Sequence, residues 1–312
     1  MNIRTVLCPL DPESPTDSNL QLAVSLSQRF GAKLVLQCNL DTAPPSSLGM
    51  NWMYAEERLI QGRQKESMAE NRLQEAFSRS ASTVAMEGKI THGPRDFAIV
   101  CLARECQSDL VVMTHHDSSN PDQISVTERV VVESPCPVLT VRPAPQTVSF
   151  LDAVNDQAVI VPVDFTPHSM HTLEYAFALA RHLPITLHVL HLERTTEWRD
   201  LRVMPFRRQD ERERQLADCK ERLLASIPPD LKQRARVHLR GGAVADGILR
   251  SLQELQATLV IVGTHAKGFW KKALTGSTAC EILHRSPCPA WFVTTTTDSS
   301  AWSEEPRAAP GA

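Results

Sequence analysis

Val159-Ile160-Val161-Pro162-Val163-Asp164 is the stretch that decides the fold. Four β-branched residues, broken only by a proline, run without a polar position and stop at a carboxylate. That is the pattern of a short strand buried on both faces of a parallel sheet. An earlier stretch, Val6-Leu7-Cys8-Pro9-Leu10-Asp11, has the same form. Further along, Ser134-Pro135-Cys136-Pro137-Val138-Leu139 is answered by Ser286-Pro287-Cys288-Pro289-Ala290-Trp291. Asp11 and Asp164 are 153 residues apart, and Ser134 and Ser286 are 152 apart. An offset that steady marks an internal duplication of one whole domain.

Outward from these anchors, each half alternates apolar strands with helices. The first half reads as strands near 3–10, 33–39, 83–89, 109–113 and 137–142, with helices over 17–30, 55–80, 95–106 and 125–133. The second half repeats the order, with strands at 158–163, 185–191, 235–240, 258–262 and 289–295 and helices at 168–182, 208–226, 243–255 and 277–285. The expected class is α/β, two doubly wound, Rossmann-like parallel-sheet domains in tandem. The boundaries are 1–143 for the first domain, 144–157 for a proline-containing linker, 158–295 for the second domain and 296–312 for a disordered tail. Loops at 41–54 and 194–207 occupy matching positions after the second strand of each half.

The 312 residues suit two domains of ordinary size. A net charge of −3 leaves no basic footprint for nucleic acid. No apolar run reaches the roughly 20 residues of a membrane span, and Met1-Asn2-Ile3-Arg4 runs straight into a strand with no signal peptide. The eight cysteines form no CxxC pair, which points to reduced thiols in a cytoplasmic protein. Cys101 and Cys106 lack the second Cys/His pair that a zinc site needs. The charged stretch 207–222 mixes signs at helical spacing and reads as a solvated face.

In a doubly wound sheet, ligands bind at the carboxyl ends of the strands, where the strand order reverses. Asp11 and Asp164 each end a first strand. A carboxylate there either accepts hydrogen bonds from a ribose or amine, or caps the next helix. After the fourth strand of the second half comes Gly263-Thr264-His265-Ala266-Lys267-Gly268, and later Gly276-Ser277-Thr278 opens a helix. Glycines admit phosphate oxygens to backbone N–H groups, hydroxyls add donors, and the helix N-terminus adds its dipole. The alternative is a plain loop with a Ser/Thr cap.

At these residues the chain resembles a tandem universal stress protein, two such domains in one polypeptide. Nucleotide-binding members of that family have a strand ending Pro-Val-Asp, a Gly-x2-Gly-x9-Gly-Ser/Thr loop, and a last strand introduced by Ser-Pro-Cys-Pro-Val. The second half offers Pro162-Val163-Asp164, Gly263-x2-Ala266-x9-Gly276-Ser277 and Ser286-Pro287-Cys288-Pro289. The resemblance implies an adenine nucleotide α-hydrolase-like fold. It implies that Asp164, with the backbone of Pro162 and Val163, meets base and ribose, and that the backbone of Leu192 reads adenine. Val262, Gly263, His265, Ala266, Gly276, Ser277 and Thr278 would line the phosphate path. Ala266 stands where the family has glycine. If that position is left-handed, its methyl costs about 1–2 kcal/mol, equivalent to about tenfold in affinity.

The first half departs further. Thr114 and Asp117 replace the first two glycines and Ile124 the third, while Asp117 and Asp122 would set carboxylates beside any phosphate. This copy is expected to keep the fold and to have lost triphosphate binding. His188 and His191, three apart on a strand, point to opposite faces and make a poor chelate. Structural roles account for the histidines, and the prolines around Cys136 and Cys288 suit strand entry better than redox chemistry. No metal site and no catalytic residue is read from the sequence.

The implied function is ATP or other adenine-nucleotide binding in the second domain, with Mg²⁺ as companion ion. Nucleotide would order the 263–276 loop for an unknown protein partner to read. Slow ATP hydrolysis at the same site and a nucleotide-free stress protein are the alternatives. Family members pair through the last strand. Val138–Arg142 and Pro289–Thr294 are therefore expected to pair within the chain as a pseudo-dimer, with a homodimer beyond it.

Overall fold

The computed structural model describes residues 1–11, 18–40, 55–80, 84–115, 124–142, 157–193, 206–265 and 278–295. Residues 144–156 of the expected 144–157 linker, the tail at 296–312, the loop at 41–54 and residues 194–205 of the 194–207 loop lie outside them, while Gln157 opens a strand and Phe206 a helix.

Among the described residues, ten strands form one sheet. In the first half these are β1 (Thr5–Leu10), β2 (Lys33–Leu40), β3 (Met86–His92), β4 (Leu110–Thr114) and β5 (Val138–Val141). In the second they are β6 (Gln157–Pro162), β7 (Ile185–Glu193), β8 (Ala235–Gly241), β9 (Leu259–His265) and β10 (Ala290–Thr295). Their order is β3-β2-β1-β4-β5-β10-β9-β6-β7-β8. Each half is a parallel sheet whose order reverses beside its first strand, at β1/β4 and at β6/β9. The expected α/β class is therefore what the chain adopts.

The halves join by their last strands. β5 and β10 pair antiparallel, with Ala290 opposite Thr140, Trp291 opposite Leu139 and Phe292 opposite Val138. Thr140 Oγ1 also donates to the Ala290 carbonyl at 3.3 Å. This pairing covers two edges that would otherwise expose unpaired backbone groups.

The period-two alternation of the strands sends side chains to two core layers that run across both halves. Val6, Cys8, Leu139, Val161, Ile261 and Trp291 face one layer, covered by α1 (Ser18–Phe30), α2 (Ala55–Ser80), α5 (Pro167–His182) and α6 (Phe206–Ser226). Leu7, Val111, Val138, Val260, Val262 and Phe292 face the other, covered by α3 (Arg95–Glu105), α4 (Val126–Glu133), α7 (Val244–Glu254) and α8 (Thr278–Arg285).

Local chemistry sets several ends. Gly31, at φ +64°, breaks α1 where the chain turns into β2. Ser125 and Glu128 form a reciprocal capping box on α4, with Glu128 N donating to Ser125 Oγ at 3.1 Å and Ser125 N donating to Glu128 Oε2 at 2.6 Å. β9 runs three residues past its expected end because its pairing with β10 continues to Thr264↔Thr294 and His265↔Thr295. A 3-10 turn at Pro229–Arg234 was not expected. Arg234 secures it by donating to the carbonyls of Leu183 and Ile185. Among the described residues, no helix is long and apolar enough to cross a membrane.

Candidate functional site

The carboxyl ends of β6, β7 and β9 meet beside the point where the second half reverses its strand order. Pro162 closes β6, and Val163 and Asp164 follow it. Val163 is buried and committed on both polar atoms: its N–H donates to the Leu190 carbonyl at 2.8 Å, and its carbonyl lies 2.8 Å from His191 Nδ1. Asp164 is exposed.

The structure gives the helix cap to a residue other than Asp164. The N-cap of α5 is Thr166, whose side chain accepts from Ser169 N at 3.2 Å. Asp164 stands two residues ahead of it. Its Oδ1 accepts from Thr166 N at 3.1 Å and from Thr166 Oγ1 at 2.6 Å, and its N–H donates to Ser169 Oγ at 3.2 Å. Among the described residues nothing engages Oδ2. Partial burial pulls the carboxyl pKa up, but the Thr166 and Ser169 hydrogen bonds outweigh it and hold Asp164 below the ordinary aspartate value. The group is an oriented carboxylate, ionised at neutral pH, with no cation bound to it by the described residues.

Phe165 follows with φ +62°, a left-handed conformation that bulky residues rarely adopt. Such strain, about 1–3 kcal/mol, concentrates at functional sites. The ring is clasped from two sides, with His191 at 5.0 Å and the Arg222 guanidinium 4.4 Å from its centroid. This cluster also separates the two histidines of β7. His191 turns to Val163 and Phe165, while His188 stacks on His238 with Nδ1 and Nε2 2.9 Å apart.

On β9, Val262 is buried, and Gly263 lies against α5. A Cβ on Gly263 would meet Thr172 Oγ1 at 2.5 Å, so packing of this helix requires glycine quite apart from any ligand. Leu192 at the end of β7 is buried and leans into the space left by Gly247 of α7, where an added Cβ would sit 2.6 Å from a Leu192 methyl. His265 ends β9 and Thr278 starts α8. Ala266, Gly276 and Ser277 lie outside the described residues. The strand-end members of the expected site thus share one rim of the sheet. A groove of about 300 Å³ along α5, lined by Met170, Leu173, Phe177 and Arg181 among others, includes none of them.

The first copy differs at the matching carboxylate. Arg95, the first residue of α3, places Nη1 3.2 Å from Asp11 Oδ2. Thr114 stands in place of Gly263 and is half-buried. Asp117 and Asp122 lie outside the described residues. Ile124, in place of the third glycine, is exposed just ahead of the α4 cap.

The family model described as the Universal stress protein family matches residues 2–142 and again 157–294. The chain belongs to the universal stress protein family. It carries two copies of the family's domain in tandem. Among solved structures, a universal stress protein from Archaeoglobus fulgidus DSM 4304 is similar over 96% of this chain and 98% of its own, with 21% identity and a TM-score of 0.67. A functionally unknown protein from Pseudomonas aeruginosa PAO1 covers 94% of this chain and 92% of its own, at 16% identity and a TM-score of 0.61. A shorter chain, a universal stress protein in complex with cAMP, covers 46% of this chain at 19% identity and a TM-score of 0.34. The first two likenesses show the fold.

Sequence reading missed Phe165, Arg222 and Arg95. Phe165 departs from every turn preference, and its strain is visible only in the backbone. Arg222 is exposed in a charged stretch whose mixed signs suit a solvated helix face. Arg95 is 84 residues from its partner Asp11, and no spacing rule connects them.

Proposed function

We propose that the C-terminal half binds an adenine nucleotide, ATP foremost, and that the protein acts as a nucleotide-dependent stress-response regulator. The observation that carries this reading is the contrast between two equivalent carboxylates. Asp164 is held by Thr166 and carries no cation among the described residues, whereas Asp11 is paired with Arg95. An oriented, ionised carboxylate at the switch point suits the two hydroxyls of a ribose. In this reading Leu192 offers backbone groups to the base. Val262, Gly263, His265 and Ala266 border the phosphates, and Gly276, Ser277 and Thr278 add donors at the start of α8. A triphosphate brings charge, and Mg²⁺ accompanies it.

Occupancy of the 263–276 loop would then be the state that a partner protein reads. The domain boundaries at 143 and 158 follow the duplication. The cytoplasm as location rests on eight scattered cysteines that form no CxxC pair. A homodimer would add to the pairing already made within the chain.

The test compares Asp164→Ala with Asp11→Ala in the full chain by equilibrium dialysis against ATP. Loss of a charge-assisted contact of about 1.5–3 kcal/mol should weaken binding on the order of tenfold to a hundredfold in the first variant and leave the second unchanged. Equal affinities in both variants would remove Asp164 from the site.

A further inference from the structure

The seam between the halves holds a second cluster of chemically active side chains. α4 and α8 approach each other beside the β5–β10 pairing, and Glu128 of α4 faces Cys280 and His284 of α8. Glu128 and Cys280 occupy equivalent positions in the duplicated sequence, 152 residues apart. The pseudo-twofold relation therefore sets one carboxylate and one thiol against each other. His284 follows Cys280 by four residues and so lies on the same face of α8. Glu128 and Cys280 are buried, and the His284 side chain is 35% exposed. The ring of His115, at the end of β4, packs edge-on against His284 with centroids 5.2 Å apart.

Glu128 is held rigidly for this purpose. Its Oε2 is fixed by the capping box, accepting from Ser125 N at 2.6 Å. Its Oε1 points the other way, 3.2 Å from His284 Nε2 and 3.6 Å from Cys280 Sγ. The three donor atoms lie within 4.8 Å of one another. A tetrahedral Zn²⁺ with bonds of about 2.0 Å to N and O and about 2.3 Å to S has N···O edges of about 3.3 Å and S···O edges of about 3.5 Å. The observed N···O and S···O separations match these edges, and the Cys280 sulfur lies within 4.8 Å of the other two donor atoms.

We propose that Glu128, Cys280 and His284 form a transition-metal site, selective for Zn²⁺, that cross-links the two halves of the chain. The donor set decides the metal class. Thiolate and imidazole suit Zn²⁺, whereas Mg²⁺ and Ca²⁺ require oxygen ligands. One thiolate and one carboxylate balance the two positive charges, so the loaded site is neutral where two of its ligands are buried. Three protein ligands leave a fourth position, which the exposed side of His284 opens to water. The edge-on ring of His115 packs against the ring of His284 from the side. Because the ligands come from both halves, the metal resists their separation at the seam.

The test uses the full chain, stripped with a chelator and titrated with Co²⁺ alone as an optical probe. One equivalent should produce a thiolate-to-cobalt charge-transfer band and intense visible bands of four-coordinate cobalt. Zn²⁺ should then bleach both. Cys280→Ser should abolish the charge-transfer band. His284→Ala and Glu128→Gln should each weaken Zn²⁺ binding at least about 100-fold, more than loss of a merely supporting partner. Cys219→Ser, on α6, should change nothing. Absence of the band in the unmutated chain, or its survival in Cys280→Ser, overturns the proposal. Should Cys280→Ser fail to fold by circular dichroism, X-ray absorption of the zinc-loaded unmutated chain decides instead. A single sulfur in the shell supports the site, and none or two refute it.

Discussion

Gly263→Ala is the most informative small change in the candidate site, because its cost can be worked from distances. The new Cβ would lie 2.5 Å from Thr172 Oγ1, 3.6 Å from the His168 carbonyl oxygen and 3.7 Å from Thr172 Cβ. Only the hydroxyl contact is prohibitive, falling about 1 Å short of a normal packing distance. Thr172 is fully buried and donates to His168 O at 2.9 Å, so it has no easy rotation away. Overpacking of this kind costs about 1–3 kcal/mol. Thr172→Ala alone gives up a hydrogen bond of about 0.5–1.5 kcal/mol. In the double variant the methyl on residue 263 occupies the space the hydroxyl vacated. The two costs should therefore fall short of additivity by about 1–2 kcal/mol. Urea denaturation of the four proteins measures this, with m unchanged if only the native packing is altered. Additivity within about 0.5 kcal/mol would show that the helix does not impose the glycine. Thr114, half-buried at the matching position of the first half, already shows that this strand position can accept a side chain when the covering helix differs.

Trp291→Ala, at a fully buried position opposite Leu139 on the seam, should cost about 3–5 kcal/mol and lower the unfolding midpoint of both halves together. Arg95→Ala should change stability by less than about 1 kcal/mol, since the Asp11 pair is partly exposed, and should not create ATP binding in the first half. Burial pushes the Cys136 thiol up to about 12 and that of Cys288 up to about 11, so neither should react with a thiol reagent at pH 8 until the chain unfolds. The same shifts favour the neutral thiols in the folded state. Their contribution is fully present below the ordinary cysteine value of 9.0 and should decline as pH rises from there towards 12, which denaturation at stepped pH would measure.

The duplication made most of the fold legible. Repeated strand openings and Ser-Pro-Cys-Pro entries located all ten strands to within a few residues, because strands buried on both faces leave unbroken apolar runs. The pairing of Val138 and Leu139 with Phe292 and Trp291 followed from the family resemblance. Contacts between residues distant in sequence were not legible. Arg95 against Asp11, Arg222 over Phe165, and Glu128 against Cys280 and His284 each join elements that no local pattern relates. The glycine at 263 was read as room for phosphate, and the structure adds a second demand from Thr172. The sequence offers Asp164 as a cap for the next helix, and the backbone gives that cap to Thr166 two residues on. For Glu128 and Cys280 a signal did exist. Their equivalence in the duplicated register could have placed them face to face once the last strands were expected to pair.

The central claim is one nucleotide site per chain, in the C-terminal half. Calorimetric titration of Mg-ATP into nucleotide-stripped protein tests it most directly, run beside Gly276→Asp. The account predicts a stoichiometry of one per chain that disappears in the variant. Two sites per chain, or no heat at millimolar ATP, would contradict it.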